Sequence, residues 1–272
     1  MQPFNENSTM QSQSHPWQLR LEHHGFSHIE LDWIGGGIHF NPYDPVSESD
    51  VVILSSVWPE ALRGVQRMMA IRRWCHIVAP SAVVQWLKTE GWPSDKLQTS
   101  YTRDGLQISL EAYTPIPMLT PKEAIYKGWA TFKRPWKTLA RVRAHQELPS
   151  VQPHIASVVF PTGRELLHLH CAFHERQNSA KEEEWIQRSA NATWCIVGVD
   201  YEEQSHAAKQ IVQLQSEHVL LSDLVGDYRR QAGLPCALLT PLADNVISNG
   251  RLVQIFATQV THRFDDIELL SS

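Results

Sequence analysis

Three histidines and one cysteine lie close together in the second half of the sequence. His168, His170 and His174 surround Cys171 in the run HLHCAFHE. Residues two apart on a β-strand point to the same side of a sheet, so His168 and His170 could share one face. With a carboxylate from elsewhere they could hold one metal ion such as zinc. Alternatively, Cys171 could be a thiolate nucleophile with His170 as its base.

The same cluster also fits a purely structural role. The chain contains 14 histidines, so some will be neighbours by chance and can be satisfied by hydrogen bonds at a strand end. A free cysteine is commonly buried and packs as a small apolar side chain. We favour this structural interpretation, and the metal-binding one stays open.

A basic and aromatic segment spans about residues 118–150. Cationic side chains interleaved with aromatic rings can bind anions, stack on bases or anchor a protein partner. The alternative is an amphipathic lid whose aromatic rings pack on a sheet. The candidate partner-binding or anion-binding residues are Lys127, Trp129, Lys133, Arg134, Trp136, Lys137, Arg141 and Arg143.

The overall charge argues against nucleic acid as the partner. The formal net charge is -5, whereas phosphate binding needs clustered lysine and arginine. We therefore expect a protein partner or a homo-oligomer. The 272 residues, 42% of them hydrophobic, are enough to bury the core of one large domain.

The ends of the chain and the cysteines suggest a compartment. Residues 1–16 are polar and lack the features of a secretory signal, and no apolar run is long enough to span a bilayer. The four cysteines form no CxxC pair, which favours reduced thiols in the cytoplasm. We expect a cytoplasmic protein with a flexible N-terminus (1–18), one domain (19–265) that carries the insertion, and a tail (266–272).

Alternating short β-rich runs and helical windows must position these groups. The predicted strands are Gly25–Trp33, Ile38–Phe40, Val51–Leu54, His76–Ala79, Leu106–Ala112, Ala156–Phe160, Glu165–Leu169, Thr193–Val199, His218–Leu221 and Leu252–Thr258. The predicted helices are Glu60–Arg73, Ser81–Gly91 with Ser81 as its cap, and Ser205–Gln215. Strands in both halves with helices between them predict an α/β fold, in which two sheets pack face to face beneath outer helices.

The order of five segments resembles the metallo-β-lactamase superfamily, in particular its branch of L-ascorbate-6-phosphate lactonase and related metal-dependent hydrolases. The likeness spans about residues 25–265. The segments are HIELDWIGGGIHFNPYDPVSESDVVILSS, DGLQISLEAYTP, VVFPTGRELLHLHCAFHE, ATWCIVGVD and HAAKQIVQLQSEHVLLSD. This resemblance implies a four-layer αββα sandwich with two mixed sheets.

The resemblance also implies where metal ligands should stand, and most are replaced. The family's His-x-His-x-Asp-His run corresponds to residues 56–61, where only Glu60 could bind a metal and Trp58 adds bulk. The family's bridging aspartate corresponds to Cys171 and its late histidine to Asp223. The midpoint histidine would fall near residues 115–117, where none stands.

We therefore expect a catalytically degenerate member of this fold, with no cofactor, that acts as a binding or protein-interaction module. The alternative is a hydrolase of small esters, lactones or phosphate compounds with a rebuilt single-metal site, which would use zinc. Its candidate catalytic residues are Glu60, His170, Cys171 and Asp223, and its candidate metal ligands add His168.

Overall fold

Two seven-stranded sheets make up the described part of the chain. The computed structural model describes residues 18–25, 27–33, 36–56, 62–113, 148–149, 151–223, 226–232, 235–247, 252–255 and 261–265. The first sheet has the order β14-β1-β2-β3-β4-β5-β6, and the second has the order β13-β12-β11-β10-β9-β8-β7. Both sheets are mixed, because each combines antiparallel pairs with parallel ones.

The first sheet begins with a polar and apolar alternation that buries one face. Leu19 and Leu21 of β1 and Leu31 of β2 are buried, while the adjacent residues Arg20, Glu22, Glu30 and Asp32 are more exposed. This period of two is the pattern of a sheet with one buried face. The strands are β1 (Gln18–Gly25), β2 (His28–Trp33), β3 (Gly36–Phe40), β4 (Val51–Ile53), β5 (His76–Val78), β6 (Leu97–Gln98) and β14 (Thr261–Asp265).

The second sheet has a parallel half with fully buried strands. Every residue of β11 is buried, as expected for a parallel strand covered on both faces. The strands are β7 (Tyr101–Arg103), β8 (Leu106–Ala112), β9 (His154–Val159), β10 (Glu165–Leu169), β11 (Trp194–Gly198), β12 (His218–Ser222) and β13 (Leu252–Ile255). Strands β10 to β13 run parallel, so their carboxyl ends meet at one edge.

Helices cover the outer face of each sheet. The helices are α1 (Arg63–Ala70), α2 (Ser81–Thr89), α3 (Ser179–Ser189), α4 (Gln204–Ile211), α5 (Gly226–Ala232) and α6 (Leu239–Ile247). Val65 of α1 and Val84 of α2 pack in one cluster with β4 and β5, while Trp185 of α3 and Ile211 of α4 pack in another with β10 and β11. A third cluster, which includes Phe40, lies between the sheets.

The four layers predicted from the segment order are therefore confirmed as an αββα sandwich. Of the helices in the described ranges, none has the length and apolar character needed to cross a bilayer. The insertion at 118–150 lies almost wholly outside the described residues, as do the N-terminus up to residue 17 and the tail after residue 265.

Several predicted element boundaries were wrong. Gly25–Trp33 is not one strand, because Gly25 ends β1 and β2 begins at His28. Ser81 does not cap α2: Pro80 holds the cap position, and no side chain makes a capping hydrogen bond there. The helix expected over Ser205–Gln215 ends at Ile211.

Helix α3 and the turn between β7 and β8 were not predicted, although the sequence carries their signals. Asn178 caps α3 by accepting a hydrogen bond from the Ala180 backbone nitrogen at 2.9 Å, which is a standard helix start. Asp104 and Gly105 both have positive φ, and they join β7 to β8 as a two-residue hairpin turn.

Candidate functional site

The candidate residues collect at the edge where the parallel strands of the second sheet end. Cys171 follows β10, Asp200 follows β11, and Asp223 follows β12. The backbone holds these ends side by side: the Cys171 nitrogen donates to the Gly198 carbonyl at 3.1 Å, and the Val199 nitrogen donates to the Ser222 carbonyl at 2.9 Å. Ligand sites of open parallel sheets lie beyond such strand ends.

His168 and His170 do lie together, as the strand period predicted. Their ring centroids are 5.6 Å apart, and the His168 ring packs edge-on against Phe40 at 4.8 Å. Both side chains are buried, with exposed fractions of 0% and 4%. The side chains of β10 that point between the sheets thus change from the apolar Leu166 to the imidazole of His168 towards the carboxyl end of the strand.

The buried imidazoles are held in their neutral form. Burial lowers the pKa of His170 to about 4 and lowers the pKa of His168 well below its ordinary value. Neither ring nitrogen of His168, nor Nδ1 of His170, has a hydrogen-bond partner among the residues that the structure describes. A buried polar group without a partner costs free energy, so this is an unusual feature that needs an explanation.

Cys171 has a strained backbone and a protonated thiol. Its φ of 49° lies in the left-handed region, which is uncommon for a residue with a side chain. Burial, reinforced by Asp200 and Asp223, raises the pKa of the thiol well above its ordinary value. A nucleophilic thiolate paired with a protonated His170 would need the opposite shift at both groups, so these surroundings disfavour it.

Asp223 is a largely buried acid at this edge, with a side-chain exposure of 13%. Burial raises its pKa to about 6, and the Arg230 guanidinium at 3.6 Å offsets that shift in part. Its Oδ1 atom is buried and accepts no hydrogen bond from any part of the chain that the structure describes. Asp200, in contrast, pairs with Arg229 at 3.2 Å.

The other candidates are not brought into this group. His174 is buried, and its backbone nitrogen donates to the Glu182 carboxylate at 3.1 Å, which in turn contacts His206 of α4. Glu60 and Trp58 lie outside the described residues. The same holds for Lys127, Trp129, Lys133, Arg134, Trp136, Lys137, Arg141 and Arg143.

Sequence reasoning missed a set of hydrogen bonds from one asparagine side chain at the neighbouring edge of the first sheet. Asn41, which has a positive φ of 45°, follows β3. Its side-chain oxygen accepts from the Ser55 backbone nitrogen at 3.0 Å and from the Ser56 backbone nitrogen at 3.3 Å, and its amide donates to the Ser55 hydroxyl at 3.0 Å. Asn41 thereby holds the segment that leaves β4.

The described residues do not fit the metal centre that the resemblance implies. Across the described ranges, no group of three or more histidine, cysteine, aspartate or glutamate side chains is arranged to hold a metal ion. Catalytic zinc sites use three protein ligands. His168 and His170 lie in the core between the sheets, and Cys171 is a poor ligand while its thiol stays protonated.

Comparison with known proteins supports the fold. No protein-family model and no curated protein matches the sequence. A metallo hydrolase from the hyperthermophilic archaeon Ignicoccus hospitalis KIN4/I is 14% identical, with a TM-score of 0.58 over 91% of this chain and 98% of that one. An isothiocyanate hydrolase from Delia radicum gut bacteria is 10% identical, with a TM-score of 0.55 over 90% and 99%.

A possible metal-dependent hydrolase from Veillonella parvula DSM 2008 is 7% identical, with a TM-score of 0.53 over 91% of this chain and 98% of that one. At such low identities the likeness concerns the fold and leaves the activity open. Taken with the two mixed sheets and their outer helices, these similarities show that the chain shares the αββα fold of these hydrolases, which is the fold that the resemblance to the metallo-β-lactamase superfamily implies.

Proposed function

We propose that the chain is a catalytically degenerate metallo-β-lactamase-fold protein that acts as a binding or protein-interaction module. The observation that carries this proposal is the absence, among the described residues, of three converging metal ligands at the strand-end edge. A hydrolase of this fold needs such ligands to fix the ion and lower the pKa of its bound water. His168 and His170 instead serve as buried neutral side chains.

The partner-binding surface that we propose is the insertion at 118–150. The support comes from composition alone: the eight candidate residues named above combine positive charge with aromatic rings. Tryptophan and arginine are the residue types that most often dominate protein interfaces. The negative charge of the whole chain favours a protein partner or a second copy over nucleic acid.

Metal content and hydrolysis test the loss of catalysis. We expect the protein purified from zinc-supplemented cells to contain far less than one zinc ion per chain, measured by inductively coupled plasma mass spectrometry. We also expect no chelator-sensitive turnover of ester, lactone or phosphomonoester substrates, because too few ligands converge to generate a metal-bound hydroxide. One zinc ion per chain together with turnover that a chelator abolishes would overturn the proposal.

A charge reversal tests the interaction surface. We expect the full chain to self-associate or to retain a protein partner in size-exclusion chromatography, and the triple variant Lys133→Glu, Arg134→Glu, Lys137→Glu to lose that assembly. The double variant Arg72→Glu, Arg73→Glu is the control, because it reverses exposed cations in the turn after α1. Identical monomers for all three proteins, or equal losses in both variants, would contradict this surface.

One observation favours the alternative of a hydrolase with a rebuilt site. The buried Oδ1 atom of Asp223 accepts no hydrogen bond within the described ranges, although it lies near Cys171 at the edge where this fold would hold a metal. Such an oxygen could bind an ion together with Glu60, His170 and Cys171. Zinc titration by calorimetry distinguishes the two functions, since only the hydrolase predicts binding that Asp223→Asn and His170→Ala both weaken.

A further inference from the structure

A polar cavity of about 330 Å³ lies on the outer face of the first sheet. The outward-pointing side chains of β1, β2 and β3 line it, and the loop between β3 and β4 forms a wall. The buried neighbours on the same strands, such as Leu31 and Ile38, point the other way, into the core between the sheets. The cavity is therefore separate from the strand-end site. Its ionisable lining residues include His24, His28, Glu30, Asp32, His39 and Asp50.

A hydrogen-bonded relay links Asp50, His39 and His28 in this cavity. The Asp50 carboxylate accepts from the Gly37 nitrogen at 3.2 Å and from the Ser47 nitrogen at 3.0 Å, and it lies 3.2 Å from Nε2 of His39. An ionised carboxylate only accepts, so His39 must donate from Nε2. In the 3.4 Å contact between Nδ1 of His39 and Nε2 of His28, we assign the donor to His28.

The relay leaves Nδ1 of His28 as an acceptor. His28 lines the cavity and is only 6% exposed. Within the described part of the chain, only Nε2 of this ring makes a hydrogen bond. Burial, with His24 and His39 nearby, lowers the pKa of His28 to about 3, so the ring stays neutral and Nδ1 keeps its lone pair.

Two further carboxylates that line the cavity, Glu30 and Asp32, can also accept hydrogen bonds. Glu30 accepts from Nε2 of His24 at 2.7 Å, and this bond holds the pKa of Glu30 at about 2 despite its burial, so the carboxylate is ionised. Asp32 is half exposed and lies 3.4 Å from the Arg20 guanidinium. A ligand that fits these acceptors must bring hydrogen-bond donors, and positive charge would favour it.

We propose that this cavity binds a small organic cation whose ammonium group donates to Nδ1 of His28 and to the carboxylate of Glu30. The volume lies at the lower end for small-molecule sites, which suits a short aliphatic amine. An anionic ligand would face Glu30 and Asp50. A metal ion would lack ligands, because no three donors converge in the parts of the chain described here.

Three probes of similar length and different charge test the proposal. On the full-length protein we expect saturable binding of 1,4-diaminobutane by calorimetry, with shifts of the His28 and His39 ring signals in NMR spectra. The neutral 1,4-butanediol and the anionic succinate should not bind. Glu30→Gln should weaken diamine binding by about tenfold or more, since it removes a charged hydrogen-bond acceptor.

Two further variants separate a specific site from surface charge. Glu22→Gln removes the same charge from a neighbouring outward position that does not line the cavity, so binding should change by no more than about twofold. His28→Phe keeps a ring of similar shape but removes the acceptor, and it should weaken binding as Glu30→Gln does. Circular dichroism and melting temperatures check that each variant folds.

Several results would overturn the cation site. These are equal binding of the diol and the diamine, equal losses in Glu22→Gln and Glu30→Gln, or no ring shifts with the diamine. Binding of zinc chloride that depends on Glu30, without binding of the diamine, would assign the cavity to a metal instead.

Discussion

Lowering the pH from 7 to 5 is expected to destabilise the folded chain by about 4 kcal/mol, because three buried histidines must stay neutral in the fold. The pKa of His28 is lowered to about 3 and that of His170 to about 4, and the pKa of His168 lies well below its ordinary value. In the unfolded chain all three histidines titrate near pH 6.5. At a pH between the folded-state and the unfolded-state pKa of each histidine, the unfolded state therefore binds more protons.

The sign follows from that difference in bound protons. Each of the three histidines makes its full contribution to the unfolding free energy above about pH 6.5. This contribution decreases as the pH falls, and at pH 5 roughly 2 kcal/mol has been lost for each of them. Asp223 acts in the opposite direction, since its pKa is raised to about 6 and the folded state gains its proton first. Its contribution, roughly 1 kcal/mol at pH 5, offsets part of the loss.

Urea unfolding at pH 7, 6 and 5 measures this loss, with tryptophan fluorescence as the signal. The chain has ten tryptophans, of which Trp185 and Trp194 are fully buried in the described core. A domain of typical stability, roughly 5–15 kcal/mol, would come close to unfolding at pH 5. A constant or increasing unfolding free energy on acidification would show that the buried imidazoles are already charged or have partners.

Replacing His168 by leucine is expected to stabilise the protein, although the substitution alters the most deeply buried histidine of the candidate site. Both ring nitrogens of His168 lack partners among the described residues, and the ring packs against Phe40 and His170. Removing an unsatisfied buried group is expected to add about 1–3 kcal/mol to the unfolding free energy at pH 7. The gain should grow by roughly another 2 kcal/mol at pH 5, because leucine cannot titrate.

His24→Leu provides the matched control. His24 is one-third exposed, and its hydrogen bond with Glu30 raises its pKa, so its loss should not reduce the acid sensitivity. The measurement is the same urea series on the wild type and both variants. A His168→Leu protein less stable than the wild type at pH 7 would mean that the ring has a partner, such as a bound water or a metal ion, and would weaken the case for a degenerate site.

These two predictions bear on the evolution of the strand-end edge. A metal-binding enzyme of this fold needs polar side chains at the ends of its strands, and they cost stability unless a metal or a hydrogen bond satisfies them. In this chain neither ring nitrogen of His168, nor Nδ1 of His170, has a hydrogen-bond partner in the described ranges. A gain in stability on their replacement is what a site without a ligand predicts.

Local patterns explain which elements could be predicted. The bounds of β8 and β10 match the prediction, since their ends coincide with changes in side-chain periodicity and with turn residues. The helix α3 was missed because its sequence is mainly charged, although Glu182, Trp185, Ile186 and Ser189 recur at the spacing of one buried helical face. The cap of α2 was misplaced because a serine beside a proline suits either role.

The sequence by itself determined the layered fold, the absence of histidine from residues 56–61 and the nearness of His168 to His170. These properties depend on segment order, residue identity and the two-residue period of a strand, all of which are local. Only the tertiary structure decided that both imidazoles are buried and neutral, that Asp223 lacks a hydrogen-bond partner at Oδ1 within the described ranges, and that His28 and Glu30 share a cavity. Burial and hydrogen bonding depend on which distant strands come together, and no spacing along the chain encodes that.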